Sequence, residues 1–466
     1  MAHSSVSFRI QTQAAQTRFC KMLTSLRHAK GVASLACKDD SQIDLYRRRC
    51  GMVTTASPLS ETFSSRPSLL PTPAQRLVSI DVLRGLVMVV MALDHARDFL
   101  TYSRSAPEDV AHTSAALFFT RFITHFCAPV FAFLAGTGAF LSTRRGKSLK
   151  QVSWFFLTRG IWLLLLEFTI VDFAWGFVPW AHAGVIWILG WSMIVMAAIV
   201  WLPTRWIAVL GVGMIAMHHL LDPVTPGSFG KFYWLWMFLH SPGRIPITDH
   251  FALSVRYVLI PWLGVMAAGF AFGAVLHRPD RRTWVLTIGI CATTLFFVLR
   301  GINLYGNGLA VVPGRYALSA GSWTAQSTTS LSVISFFNTL KYPPSLDYLL
   351  MTLGPALILL GILDGVDARR GLSRILMVFG RVPLFYYVLH IYLLNVLALS
   401  ASIVFHQPVW HGTVIADFAQ RPPGYGHGLP FIYAMWLLAV AILYLPCRWF
   451  MELRNRHRDW AWLSYL

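Results

Sequence analysis

An all-α polytopic membrane protein of about ten transmembrane helices, with both termini on the cytoplasmic side, is the fold class this 466-residue sequence predicts. Three observations predict it. Hydrophobic residues make up 56% of the chain and charged residues 13%, against about 25% charge in an ordinary soluble domain. Mean hydropathy is +0.56. The apolar residues fall into long runs, and the loops between them alternate between basic and weakly charged. The 18 Trp and 32 Phe suit aromatic belts at the two interfaces.

Residues 1–75 differ from the rest. They form a basic tail rich in Ser, Thr, Arg and Lys, without the apolar core of a signal peptide, and are expected to be disordered. Met52 is an alternative start, which leaves open whether residues 1–51 are translated. Residues 76–450 form the membrane domain, with spans expected at 80–100, 114–142, 152–174, 183–203, 205–221, 251–277, 283–301, 346–364, 376–404 and 429–448. Residues 451–466 read as a cytoplasmic tail. Basic clusters follow the even spans: Arg144, Arg145, Lys147 and Lys150; Arg205; Arg278, Arg281 and Arg282; Arg369, Arg370 and Arg374; Arg448, Arg454 and Arg456. The positive-inside rule places these loops in the cytoplasm. The net charge of +19 follows from this arrangement and from the tail, so a nucleic-acid partner is not expected. Three longer loops, 222–250, 302–345 and 405–428, then lie outside and are large enough to cover the mouth of a cavity.

Ionisable residues inside these spans need a reason to be there. In span one, Asp81 and Arg84 sit at one end, and Asp94 and His95 lie about eleven residues on. That is roughly 16 Å of helix, about half the hydrocarbon thickness. Asp94 and His95 diverge by about 100° on a helix, so Asp94 is not an automatic partner of His95. A neutral imidazole at that depth suits proton transfer; its structural alternative is inter-helix hydrogen bonding. In span two, Arg121 and His125 share a face, Pro129 frees a backbone carbonyl near them, and Gly136 and Gly138 permit close helix approach. Arg121 needs a counter-ion, for which Asp94 or Glu167 is available. His112 lies in the short loop between these spans. Tyr386, Tyr387 and His390 can face the bundle interior together, and Lys341 and Tyr342 precede a Pro-Pro stop at the membrane boundary. His218, His219 and Asp222 are too few for an expected metal site, and the six Cys show no C-x-x-C, so no metal is expected.

Asp81-Val-Leu-Arg84-Gly followed by His95 resembles the opening motif of transmembrane acyltransferases, in which an Arg, ten residues and a His mark the first span. The segment from Ile80 to Ser142, and the closing Gly380-Arg381 to His390 helix, more closely resemble the heparan-α-glucosaminide N-acetyltransferase family and its bacterial membrane branch. The resemblance covers nearly all of residues 76–450. It implies a multi-pass protein of the cell (inner) membrane. It also implies a cytoplasmic acyl-CoA co-substrate, usually acetyl-CoA, no permanently bound cofactor, and a sugar amine or hydroxyl acceptor on an outer or envelope glycan. Arg84, Asp81 and Arg381 would then form the CoA site. His95, Asp94, His125, Arg121 and His112 would form the catalytic group, and His390, Tyr386, Lys341 and Tyr342 would face the acceptor. In one respect the chain departs from the family. Lysosomal members carry Asn where His95 stands and use a separate loop His; no aligned His is present here, His112 being the nearest. Direct attack with His95 as base is therefore expected. Membrane lipid is an expected partner, and a homo-oligomer is left open. The alternative function is a non-catalytic transporter or a lipid- or glycan-binding protein, for which an inverted repeat is the expected mark.

Overall fold

The computed structural model describes residues 77–177, 182–249, 251–309, 318–367, 371–410, 420–457 and 459–465. The chain divides into Met1–Leu70 and Pro71–Leu466; the predicted disordered tail and the alternative start at Met52 lie outside the described residues.

All ten predicted spans contain a helix. Helix α1 is Val78–Leu100; α2 (Ala115–Thr124) and α3 (Cys127–Thr143) together make the second span. Helix α4 (Leu149–Leu166) passes through a π turn, Glu167–Val171, into α5 (Asp172–Gly176). There follow α6 (Val185–Ile199), α7 (Thr204–Met217), α8 (Tyr233–Leu239), α9 (Leu259–Phe272), α10 (Arg281–Ile302), α11 (Thr329–Phe337), α12 (Leu346–Ile362), α13 (Gly371–Arg381), α14 (Pro383–Val404) and α15 (Leu429–Arg456). Among the described residues, seven helical segments are long and apolar enough to cross a membrane. Helices α6 and α12 are apolar but shorter, and α1 carries too much charge to count among the seven.

The local reasons are readable in the sequence. Ser114 Oγ accepts the Leu117 N–H and starts α2; Ser148 and Gln151 form a capping box at the start of α4. Pro129 has no N–H to give the His125 carbonyl, so the chain breaks between α2 and α3. The freed carbonyl accepts the Tyr348 hydroxyl of α12 at 2.8 Å.

Four expectations need correction. The fold is not wholly helical: β1 (His182–Ala183), β2 (Gly243–Thr248) and β3 (Phe251–Val255) form a small sheet in the order β1-β3-β2. The span expected from residue 251 therefore begins only at Leu259. The short apolar run at 251–255 fits strand or helix equally, and pairing with β2 and β1 decides it. The span expected at 376–404 is two helices, because Pro383 cannot continue α13 and instead opens α14. Finally, α15 runs to Arg456, well into the expected tail, with Arg454 and Arg456 placed favourably at its C-terminus.

Helix α1 lies inside the bundle, packed on α13, α14, α15, α2 and α3. Its charges are shielded from lipid and must be satisfied by protein. The closest approach is to α13. A Cβ on Gly85 would stand 1.8 Å from the Leu376 carbonyl oxygen, and one on Gly380 would stand 1.8 Å from that of Asp81. Two glycines thus let the backbones touch, and this contact brings Arg84 and Arg381 to one place. Gly136 and Gly269 do the same for α3 and α9. Gly138 does not: a Cβ there would meet nothing within 4 Å, because it faces a cavity.

Candidate active site

The middle of α1 carries a buried charge network. Asp94 accepts Arg121 Nη1 at 2.6 and 2.7 Å, Thr124 Oγ1 at 2.7 Å and Arg97 Nη2 at 2.8 Å. Arg97 also reaches Asp98 at 2.6 Å, and Arg121 Nε donates to Glu108 at 3.0 Å. Asp94 is thus the counter-ion of two guanidiniums. Glu167 is not the partner of Arg121; its Oε1 accepts the Gly184 N–H at 2.9 Å.

His95 turns the other way, as the helical angle requires. Its Nδ1 lies 2.6 Å from Nε2 of His390 on α14, with the rings within 15° of parallel. The edge of Trp175 meets the His95 ring at 4.8 Å between centroids. The proton positions follow from the neighbours. The Tyr386 carbonyl can only accept, so His390 Nδ1, 3.0 Å away, donates to it. Neutral His390 then accepts at Nε2, and His95 must donate from Nδ1. His95 Nε2 is left with its lone pair, the state a general base requires.

His95 and Asp94 line one end of a cavity of about 430 Å³. Arg84, Lys147, Arg159, Arg381 and Arg454 stand around the other end. Between them the wall is apolar, with Met88, Met91, Phe131, Leu134, Leu163 and Met193. Asp81 lies 3.6 Å from both Arg84 and Arg381, and Arg84 Nη1 donates to the Gly380 carbonyl at 3.4 Å. Lys341, brought in from the long 302–345 connection, lines the His95 end. Among the described residues no carboxylate lies within 4.0 Å of its ammonium.

The predicted site residues separate accordingly. The structure brings together His95, Asp94, Arg84, Arg381 and Lys341 in one wall. Asp81 is buried, with its carboxylate against Arg84 and Arg381, and is absent from the cavity wall. Arg121 is consumed by Asp94 and Glu108 and is absent from the wall. His125 is 1% exposed and lines a smaller void with Glu108, Lys341 and Tyr342, not the main cavity. Tyr342 lines that same void, with its hydroxyl 3.5 Å from that of Tyr257. His112 is exposed and hydrogen-bonded to Asp109 at 2.8 Å, outside the cavity, because its loop stays at the surface. His390 supports His95 and does not face the cavity. Tyr386 packs on Phe379 and His390, and Tyr387, one residue on, occupies the wall instead. Sequence reasoning missed Lys147, Arg159, Arg454 and Trp175. The basic loops hinted at Lys147 and Arg454; nothing local marked Trp175.

His218, His219 and Asp222 form a separate cluster completed by His240. Asp222 accepts from His219 Nδ1 at 2.9 Å, from His240 Nε2 at 2.9 Å and from the Leu309 N–H at 2.7 Å; His218 Nε2 donates to the Pro344 carbonyl at 3.0 Å. The cluster therefore ties both ends of the connection that carries Lys341. Burial alone would raise the Asp222 carboxyl, but the hydrogen bonds from His219 and His240, the charge of His219 and the Leu309 N–H together hold it well below the ordinary carboxylate range. A depressed folded pKa means that this stabilisation is full above the unfolded value, about 3.9, and is lost only as pH falls through the folded one. The Asp222 contribution is accordingly expected to be flat from about pH 8 to about pH 5. Asp222→Asn is expected to cost about 1.5–3 kcal/mol at this anchor. Limited proteolysis of the 302–345 connection at neutral pH measures it; cleavage at the wild-type rate would show that the clamp contributes nothing.

Residues 76–301 match the family model described as heparan-alpha-glucosaminide N-acetyltransferase, catalytic. The match covers α1, with Arg84, Asp94 and His95, and stops at the end of α10, before Lys341, Arg381 and His390. No curated protein matches the chain.

Proposed function

Residues 76–301 belong to the heparan-α-glucosaminide N-acetyltransferase catalytic family, and from this we propose that the chain is a membrane acyltransferase that moves an acyl group, in the first instance acetyl, from cytoplasmic acyl-CoA to a sugar amine or hydroxyl on the opposite side. The observation that carries the reading is the polarity of one cavity: five cations at one end, an apolar shaft, and the His95 imidazole, hydrogen-bonded to His390, at the other. Arg84, Lys147, Arg159, Arg381 and Arg454 suit the phosphates of CoA, which are anionic and favour guanidinium forks. Lys147 belongs to the basic loop after α3 and Arg454 to the basic last turn of α15, so by the positive-inside rule this mouth and both termini are cytoplasmic. Ten membrane spans, including the buried α1, complete the topology.

In this mechanism the acceptor attacks the thioester carbonyl while His95 Nε2 takes its proton. Lys341 stabilises the oxyanion of the tetrahedral intermediate. The C–S bond then breaks, and His95 returns the proton to the thiolate. His390 keeps the His95 tautomer throughout.

Lys147 tests the donor site cleanly, because it is exposed and lies in a loop. Lys147→Gln is expected to leave the fold and kcat unchanged and to raise KM for acetyl-CoA about tenfold, the loss of one charge-assisted contact. Acetyl-CoA and CoA are both expected to raise the unfolding temperature of the purified wild type. Absence of any such stabilisation by either ligand sinks the acyl-CoA reading.

A further inference from the structure

We infer that the acceptor nucleophile is a hydroxyl on a neutral or anionic glycan, so that the product is an ester and not an amide. This rests on the acyltransferase reading and concerns the charge at its reacting end. Asp94, the carboxylate in the cavity wall, is already engaged by Arg97, Arg121 and Thr124. The other ionised wall residues are cations: the five at the mouth, and Lys341 at the His95 end with no carboxylate within salt-bridge distance among the described residues. An amine acceptor arrives mostly as an ammonium ion at neutral pH and finds no uncommitted carboxylate there. Its neutral form gains positive charge on nitrogen as the carbonyl oxygen gains negative charge, so a cation at Lys341 favours this attack less than one that builds net negative charge. A hydroxyl arrives neutral and gains negative charge as His95 removes its proton, which Lys341 favours. The reaction balances without a further reagent. The acceptor O–H and the acyl C–S bonds break, the ester C–O bond forms, and the proton passes through His95 Nε2 to the CoA thiolate.

The test uses membranes carrying the full chain, radiolabelled acetyl-CoA, and two disaccharides that differ only in ending with glucose or glucosamine. Neutral hydroxylamine then releases label from esters and spares amides. Label that hydroxylamine releases, exceeding resistant label at least tenfold when both acceptors are offered, is the expected result. Resistant label confined to the glucosamine acceptor overturns the inference and leaves the transferase reading standing. No label in either sugar or in the membrane glycans overturns both. Lys341→Gln, in protein that still binds acetyl-CoA, is expected to shift the ester-to-amide ratio about tenfold toward amide; an unchanged ratio removes the electrostatic basis of the proposal.

Discussion

Replacing His95 by alanine is expected to lower acyl transfer by about 10²–10⁴-fold, the usual contribution of a positioned general base, while acetyl-CoA binding persists. The physical reason is a chain of hydrogen bonds with one allowed direction. The Tyr386 carbonyl sets the His390 tautomer, His390 sets that of His95, and the basic nitrogen of His95 is what remains. His390→Ala removes the acceptor for His95 Nδ1 and frees the ring to turn. It is expected to cost about 10–100-fold, as loss of a supporting hydrogen bond does elsewhere. His390→Gln offers a carbonyl oxygen that can accept the same proton, so it is expected to recover part of that loss. Radiolabelled acetyl transfer in membranes measures all three. If His95→Ala works at the wild-type rate, the base is elsewhere; if His390→Gln is no better than His390→Ala, His390 acts by packing alone.

Asp94→Asn is expected to damage folding more than any other single change in the site. The carboxylate balances Arg97 and Arg121, both buried, and removing its charge leaves two guanidiniums short of a partner. Breaking a buried ion pair from one side costs about 3–5 kcal/mol. Asp98 and Glu108 retain one guanidinium each, which limits the loss to that range. Thermal unfolding of the purified protein, with His95→Ala as the control that keeps the network, separates this effect from catalysis. An Asp94→Asn variant as stable as the wild type would falsify the counter-ion role.

The ammonium of Lys341 is the basis of the ester preference proposed above. It comes from a connection outside the spans, and the Asp222 cluster holds that connection at both ends. The segment that brings Lys341 to the cavity wall is thus anchored by histidines far from it in sequence.

Much of the site is legible in the residues alone. Charge inside an apolar helix is costly whatever surrounds it, so Arg84, Asp94, His95, Arg121 and His390 stand out by cost. The helical angle alone is enough to separate Asp94 from His95. Span limits follow from run length. They fail where a short apolar run at 251–255 fits strand and helix alike, and where Pro383 splits a run. Cost, however, marks a residue without saying what satisfies it. His390 reads as an acceptor contact or an inter-helix hydrogen bond, and the structure pairs it with His95; Arg121 reads as catalytic or as one half of an ion pair with Asp94 or Glu167, and the structure pairs it with Asp94. Lys341 has an ordinary boundary role open to it, and only the path of the 302–345 connection carries it to the cavity wall.

Composition and helical period are enough to specify a helical membrane protein, the places where charge is buried, and the side on which the basic loops are expected. Those properties are local, and they need no partner to be read. Tertiary packing settles which buried groups neutralise each other and which are left facing the cavity. The pairing of His95 with His390 and of Asp81 with Arg381 depends on helices far apart in sequence meeting at glycine contacts such as Gly85 and Gly380, and no local pattern encodes that meeting.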